Sequence, residues 1–154
     1  MTERNWRWPG NKRIAVILNI CLEAWSDNKA PGISPLGNPL PAGALDTMAI
    51  SWAAYGVNRG IHRLIAALGA HGAKASVMTS AVIAERAPEA IKAVADAGHE
   101  VLSHSYSMDV IPTLLSVDEQ KTNIIRCTTL LERASGKRVV SHWRPPMACR
   151  APRA

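Results

Sequence analysis

The chain has 154 residues and a mass of 16.6 kDa, the usual size of one domain, so tandem domains are not expected and a core of useful size can be buried. With 47% hydrophobic and 19% charged residues and a mean hydropathy of -0.02, the composition excludes a disordered or fibrous chain. The net charge of +6 would suit a nucleic-acid binder, but the excess sits at the ends: residues 1–13 carry Arg4, Arg7, Lys12 and Arg13 against Glu3, and residues 134–154 carry Lys137, Arg138, Arg144, Arg150 and Arg153 against no acid. The body is about neutral and shows no basic stripe, so no nucleic-acid partner is expected.

Cys21, Cys127 and Cys149 have no CxxC spacing, and their odd number leaves one unpaired in any disulfide scheme. Cys21 lies in an apolar run and Cys127 in a helical stretch, where each reads as a small buried thiol of a reducing compartment. The N-terminus, with Trp6, Trp8 and Pro9, lacks the apolar core of a signal peptide, and no run of about 18 apolar residues appears. A cytoplasmic protein with no membrane partner is expected.

In chain order, residues 1–12 read as an N-terminal arm. Positions 13–22, RIAVILNICL, are almost continuously apolar and rich in β-branched residues, the pattern of a strand buried on both faces. From Glu23 to about Gly43 the prolines and glycines (Pro31, Gly32, Pro35, Gly37, Pro39, Pro41) prevent any regular element; a loop of that length in a compact domain is usually functional. NRGIHRLIAALGAHG then places Ile61, Leu64, Ile65 and Leu68 on one helical face and stops at Gly72. A short strand follows at 74–80, then helix on both sides of Pro88 closed by Gly98, then a third strand at 100–105. SVDEQKTNIIRCTTLLERASG opens on Ser116 with Glu119 three residues later, a capping box, and ends at Gly136. RVVSHW (138–143) reads as a fourth strand.

Strands alternating with helices specify an α/β fold with a parallel sheet and right-handed crossovers. In such folds the chemistry gathers at the carboxyl ends of the strands. Past the first strand stands Glu23, a carboxylate on rigid backbone beside Leu22 and Trp25, placed as a general base. Past the third comes SHSYSMD, with His104 able to ligate zinc or shuttle a proton and Asp109 five residues on. The bland readings are a solvated loop acid and a structural histidine bonding a loop carbonyl. His62, His71 and His99 read as structural, and His142 stays undecided. No GxGxxG or GxxxxGK[ST] loop is present, so a nucleotide cofactor is not expected.

These residues resemble the polysaccharide deacetylase (NodB homology) superfamily: a first strand ending in an acid at Glu23, YGVNRGIHRLIAALGAHGAKASVMTS, AGHEVLSHSYSMD, and LLERASGKRVVSHWRPP, spanning roughly residues 13–146. The peptidoglycan-deacetylase-like and allantoinase-like branch is the most similar variety. The resemblance implies the N-terminal part of an irregular (β/α)7 TIM-like barrel, hydrolysis of C–N amide bonds in a carbohydrate or other small-molecule substrate, catalytic roles for Glu23 and His104, and substrate contacts from Trp25, Arg59 and Arg144. Members often hold a metal with one Asp and two His. Here the pair of acids reads Cys21-Leu22-Glu23, and Met108 stands where a second histidine would be. Met is a poor ligand for a hard divalent ion, so a zinc-type site is expected to be incomplete, with His104 and Asp109 its remaining candidate ligands; the allantoinase-like branch also lacks that histidine.

The resemblance also implies that four strands are about half of a barrel that usually needs roughly 250 residues, with MACRAPRA (147–154) an unrelated tail such as a truncated or frameshifted reading frame would give. Unpaired edge strands and a tendency to homo-oligomerise are then expected. Two alternatives stand beside the hydrolase: a non-catalytic remnant that binds a sugar or partner, and a small flavodoxin-like α/β sheet.

Overall fold

The computed structural model describes residues 7–27, 29–30 and 47–140. Three short parallel strands, β1 (Asn19–Leu22), β2 (Ser76–Thr79) and β3 (Glu100–Ser103), lie in the order β1-β2-β3. Leu22 pairs with Thr79 and Thr79 with Ser103, so the three strands end level and the next residues, Glu23, Ser80 and His104, emerge side by side. β2 is flanked on both sides, and Val77, Met78 and Thr79 are accordingly buried.

The crossovers are α1 (Thr47–Tyr55), which runs through a π-helical turn at Gly56–Gly60 into α2 (Ile61–Ala70), then α3 (Val82–Arg86) and α4 (Pro88–Asp96) between β2 and β3, and α5 (Val117–Ser135) after β3. α4 packs against α2, α3, α5 and β3, and Ile61, Ile83, Ile91, Val94 and Leu131 meet there with almost no solvent exposure. Pro88 opens α4, where a missing N–H costs nothing. α5 begins as its sequence specifies: the Ser116 hydroxyl accepts from the Glu119 N–H and the Glu119 carboxylate from the Ser116 N–H. It ends on Gly136 at φ 68°, a left-handed cap that favours glycine.

Three expectations are corrected. The stretch 13–22 is not a strand buried on both faces: only Asn19–Leu22 is strand, and Ile14, Val16 and Ile17 are 76%, 79% and 72% exposed. Its physical reason is position, because among the described residues β1 is an edge strand with a partner on one side. Cys21 is exposed on that edge rather than buried, whereas Cys127 is fully buried and its thiol is pushed up to about 11, burial being the main cause. Residues 138–140 form no strand; Val139 turns into the core while its N–H donates to Glu132 Oε1. The remainder of the expected fourth strand, with His142 and Arg144, lies outside the described residues, as do most of the Pro-rich loop and the tail at 147–154. α1 was not expected at all. Residues 8–12, within the expected arm, close a small exposed turn through reciprocal Trp8–Lys12 backbone bonds of 2.9 and 3.2 Å.

At the amino ends of the strands, buried His99 accepts the Ala75 N–H at Nδ1 over 3.3 Å. Burial, and then the positive charge of Lys74, hold its pKa below the ordinary histidine value. Protonation would put a hydrogen on the accepting nitrogen. A folded pKa below the unfolded one means that the contribution of His99 is complete above about pH 6.5 and is lost as pH falls from there through the folded pKa. Urea midpoints measured at about pH 7.5 and 5 should therefore fall more in the unaltered chain than in His99→Gln; equal falls would assign the acid sensitivity elsewhere.

Candidate active site

The loops after β1 and β3 are stitched together over the end of β2. Ser80, fully buried, accepts the Ala24 N–H at 3.2 Å, and its own N–H donates to Leu22 O. The Met108 N–H donates to Ala24 O at 2.9 Å, the Ser26 N–H donates to Asp109 Oδ1 at 2.8 Å, and the Ser26 and Ser107 hydroxyls lie 3.0 Å apart. The His104 N–H donates to Thr79 O, so the residue keeps sheet-like pairing up to the point where its side chain turns away.

This scaffold brings Glu23 and His104 together: Glu23 Oε1 stands 3.3 Å from His104 Nε2. The imidazole is 3% exposed and the carboxylate 31%, which leaves the acid as the half of the pair that a substrate can reach. His104 Nδ1 is buried without a hydrogen-bond partner among the described residues, and Nε2 is the ring nitrogen that faces the carboxylate. Cys21, two residues before Glu23, is drawn into the same electrostatics: desolvation first, then the charge of Glu23 and a hydrogen bond to it, push its thiol above the ordinary range.

Ser105, directly after His104, has φ 67°. A non-glycine residue there costs about 1–2 kcal/mol and persists only when its surroundings fix it. Here the Ala81 N–H holds its carbonyl at 3.0 Å and Asn123 Nδ2 holds its hydroxyl at 3.0 Å. The next residue, Tyr106, donates its hydroxyl to Glu85 at 2.7 Å under the guanidinium of Arg126, which also reaches Glu85 at 3.0 Å and lies 3.9 Å from the ring centre. These bonds, Tyr106 first and Arg126 second, hold Glu85 below the usual carboxylate range and tie the loop to α3 and α5.

The other expected site residues are placed less centrally. Trp25 lines a cleft of about 530 Å³ between the loop after β1, α1 and α3, walled by small and apolar side chains such as Ala53, Ala54, Val57 and Ile83. Arg86, which the sequence did not single out, fixes this loop by donating to Trp25 O and to Asp27 Oδ1, both at 2.7 Å. Arg59 is exposed on the π-helical turn; its neighbours Val57 and Asn58 line the cleft and it does not. Asp109 is exposed. Burial acts to raise its pKa, but the Ser26 N–H and the Ser107 and Ser26 hydroxyls outweigh that and hold it below its ordinary value.

Among the described residues no three His, Cys, Asp or Glu side chains gather as a metal set. Glu23 and His104 alone fall short of the three protein ligands of a catalytic zinc site, and Met108 supplies no hard donor. The described donor set does not fit a resident divalent ion.

A family profile for polysaccharide deacetylases matches residues 48–154. The chain belongs to the polysaccharide deacetylase family. Among solved structures it is similar to a Mycobacterium smegmatis protein assigned to the polysaccharide deacetylases, at 28% identity and a TM-score of 0.71 over 89% of this chain and 45% of that one. A Pseudomonas aeruginosa protein with the same assignment gives 23% identity and a TM-score of 0.76, over 88% of this chain and 48% of that one. The PuuE allantoinase gives 23% and 0.74 over the same shares; at that identity the last two show the fold alone. No curated protein matches. The chain spans about half the length of these relatives. Its parallel sheet is that of a NodB-type (β/α) barrel, in preference to the flavodoxin-like alternative. Among its described residues no helix is long and apolar enough to cross a membrane.

Proposed function

We propose that this chain contributes the Glu23–His104 half-site of a hydrolase that cleaves C–N amide bonds of N-acylated carbohydrates, with ureides of the allantoin type as the neighbouring substrate class. One observation carries the reading: an accessible carboxylate and a buried imidazole from different strands meet at 3.3 Å at the carboxyl edge of a parallel sheet, where α/β folds place their chemistry. Glu23 takes a proton from a water that attacks the amide carbonyl. His104, whose Nε2 faces the carboxylate at 3.3 Å, holds it in line, and the proton returns from the carboxylate to the departing amine nitrogen as the C–N bond breaks. Trp25 and the adjoining cleft offer an apolar wall to the substrate. Arg144, whose WRPP segment resembles a motif of the family, is a further substrate contact. The two thiols at Cys21 and Cys127 are free, which suits a reducing, cytoplasmic setting.

The test is acetate release from N-acetylated chito-oligosaccharides, and ureide hydrolysis of allantoin, by the chain joined to the second half of the Mycobacterium smegmatis relative. Glu23→Gln and His104→Ala should each lower the rate about 10²–10⁴-fold, the usual worth of a positioned acid or base. Turnover equal to that of the unaltered protein in both variants would remove the proposal. Sugar binding without any acetate release would favour the non-catalytic remnant.

Elemental analysis of the purified chain should find far less than one zinc per molecule. Stoichiometric zinc that disappears in His104→Ala would instead show a third ligand, and Asp109 would be the first to examine.

A further inference from the structure

We propose that Asn123 is a positioning residue for His104, acting through the left-handed Ser105 between them. This rests on the functional reading of the Glu23–His104 pair and extends the site to α5. The Asn123 amide is oriented by two bonds: Oδ1 accepts from the buried Cys127 thiol at 3.5 Å, and Nδ2 donates to the Ser105 hydroxyl at 3.0 Å. Because the thiol takes the carbonyl end, the amide nitrogen is the end presented to Ser105. Ser105 is 2% exposed and adopts φ 67°, a conformation that a serine leaves unless it is held. Its carbonyl is fixed by the Ala81 N–H on the α3 side, and Asn123 supplies the second hold from α5.

His104 is the hinge between this held turn and the sheet. Its N–H is paired to Thr79 O, so its amino side cannot move without breaking the strand register, and the direction in which its ring leaves the backbone is set by the turn that follows. Releasing Ser105 to a right-handed or extended φ would rotate that turn. The ring would then swing away from Glu23 Oε1, while the sheet and α5 remained in place. The Cys127–Asn123–Ser105 row thus converts the packing of a helix on the sheet into the aim of one imidazole.

The measurement is the ring ¹⁵N spectrum of His104 in the full chain, assigned by its absence in His104→Ala. Asn123→Ala and, from the other end of the same bond, Ser105→Ala should both displace the His104 ring signals from their position in the unaltered chain. Glycine occupies φ 67° without strain, so Ser105→Gly should keep the signals in place, and the double variant Ser105→Gly/Asn123→Ala should restore them. A purely structural role would lower the melting temperature in Asn123→Ala and would not be repaired by glycine at position 105. Glu23→Gln separates the two readings. A His104 signal that responds to Glu23→Gln but not to Asn123→Ala or Ser105→Ala overturns this inference, whereas one indifferent to Glu23→Gln overturns the paired site on which it rests.

Discussion

Leu131→Ala is expected to destabilise the chain by about 2–5 kcal/mol, the cost of removing a fully buried leucine and leaving a cavity. Leu131 has no solvent exposure, and neither has Ile91 across the α4–α5 contact. α5 has no strand of its own to anchor it among the described residues; it is held by this contact, by the Arg126–Glu85 pair and by smaller contacts with α3 and β3. The exposed ion pair contributes little, about 0–1 kcal/mol, so the apolar contact decides. At about 4 °C per kcal/mol for a domain of this size, the thermal midpoint should fall by roughly 8–20 °C. The control is Ile125→Ala on the same helix, 67% exposed, which should change stability by no more than about 0.5 kcal/mol. Equal effects from the two substitutions, read by urea titration, would mean that α5 is not docked through Leu131.

What could be read from the sequence follows the range of the interactions involved. The α5 boundaries were legible because Ser116, Glu119 and Gly136 act within one turn of their own backbone, and the Pro88 break was legible for the same reason. Glu23 and His104 were legible as a pair because strand alternation alone puts the residues after β1 and β3 on one edge. α1 was not, since Thr47–Tyr55 exposes Met48, Ile50 and Trp52, so no one-sided stripe marks it. The exposure of residues 14–18 was hidden as well: β-branched composition states that a segment favours a strand, not that a neighbour is present on each side. Arg86, Ser80 and Asn123 hold the site through contacts across 18 to 61 residues of chain. The one local hint was the run of serines in SHSYS, each a short side chain able to close a turn.

The chain by itself is expected to self-associate and to unfold over a broad, shallow transition. Among the described residues β1 is hydrogen-bonded to β2 and to no other strand, so within them its outer edge presents unpaired N–H and C=O groups beside Ile14, Val16 and Ile17. Edges of this kind are templates for pairing with another chain, and native proteins protect them with charge or a covering element; among the described residues Lys12 and Arg13 are the charges just before this segment in sequence. Full burial of side chains of this size is worth about 1.5–3 kcal/mol each, so covering the three supplies several kcal/mol against a domain stability of only about 5–15 kcal/mol. Sizing chromatography across a concentration series should show oligomers that dissociate on dilution, and Ile14→Lys with Ile17→Lys should shift the chain toward monomer. A sharp cooperative melt in a clean monomer would show that three strands suffice and that residues 14–18 tolerate water. If instead the edge is where further parallel units of the barrel belong, joining the second half of the Mycobacterium smegmatis relative should abolish the self-association and sharpen the melt. Those same two lysines would then destabilise the joined protein, because the surface they charge would have become interior.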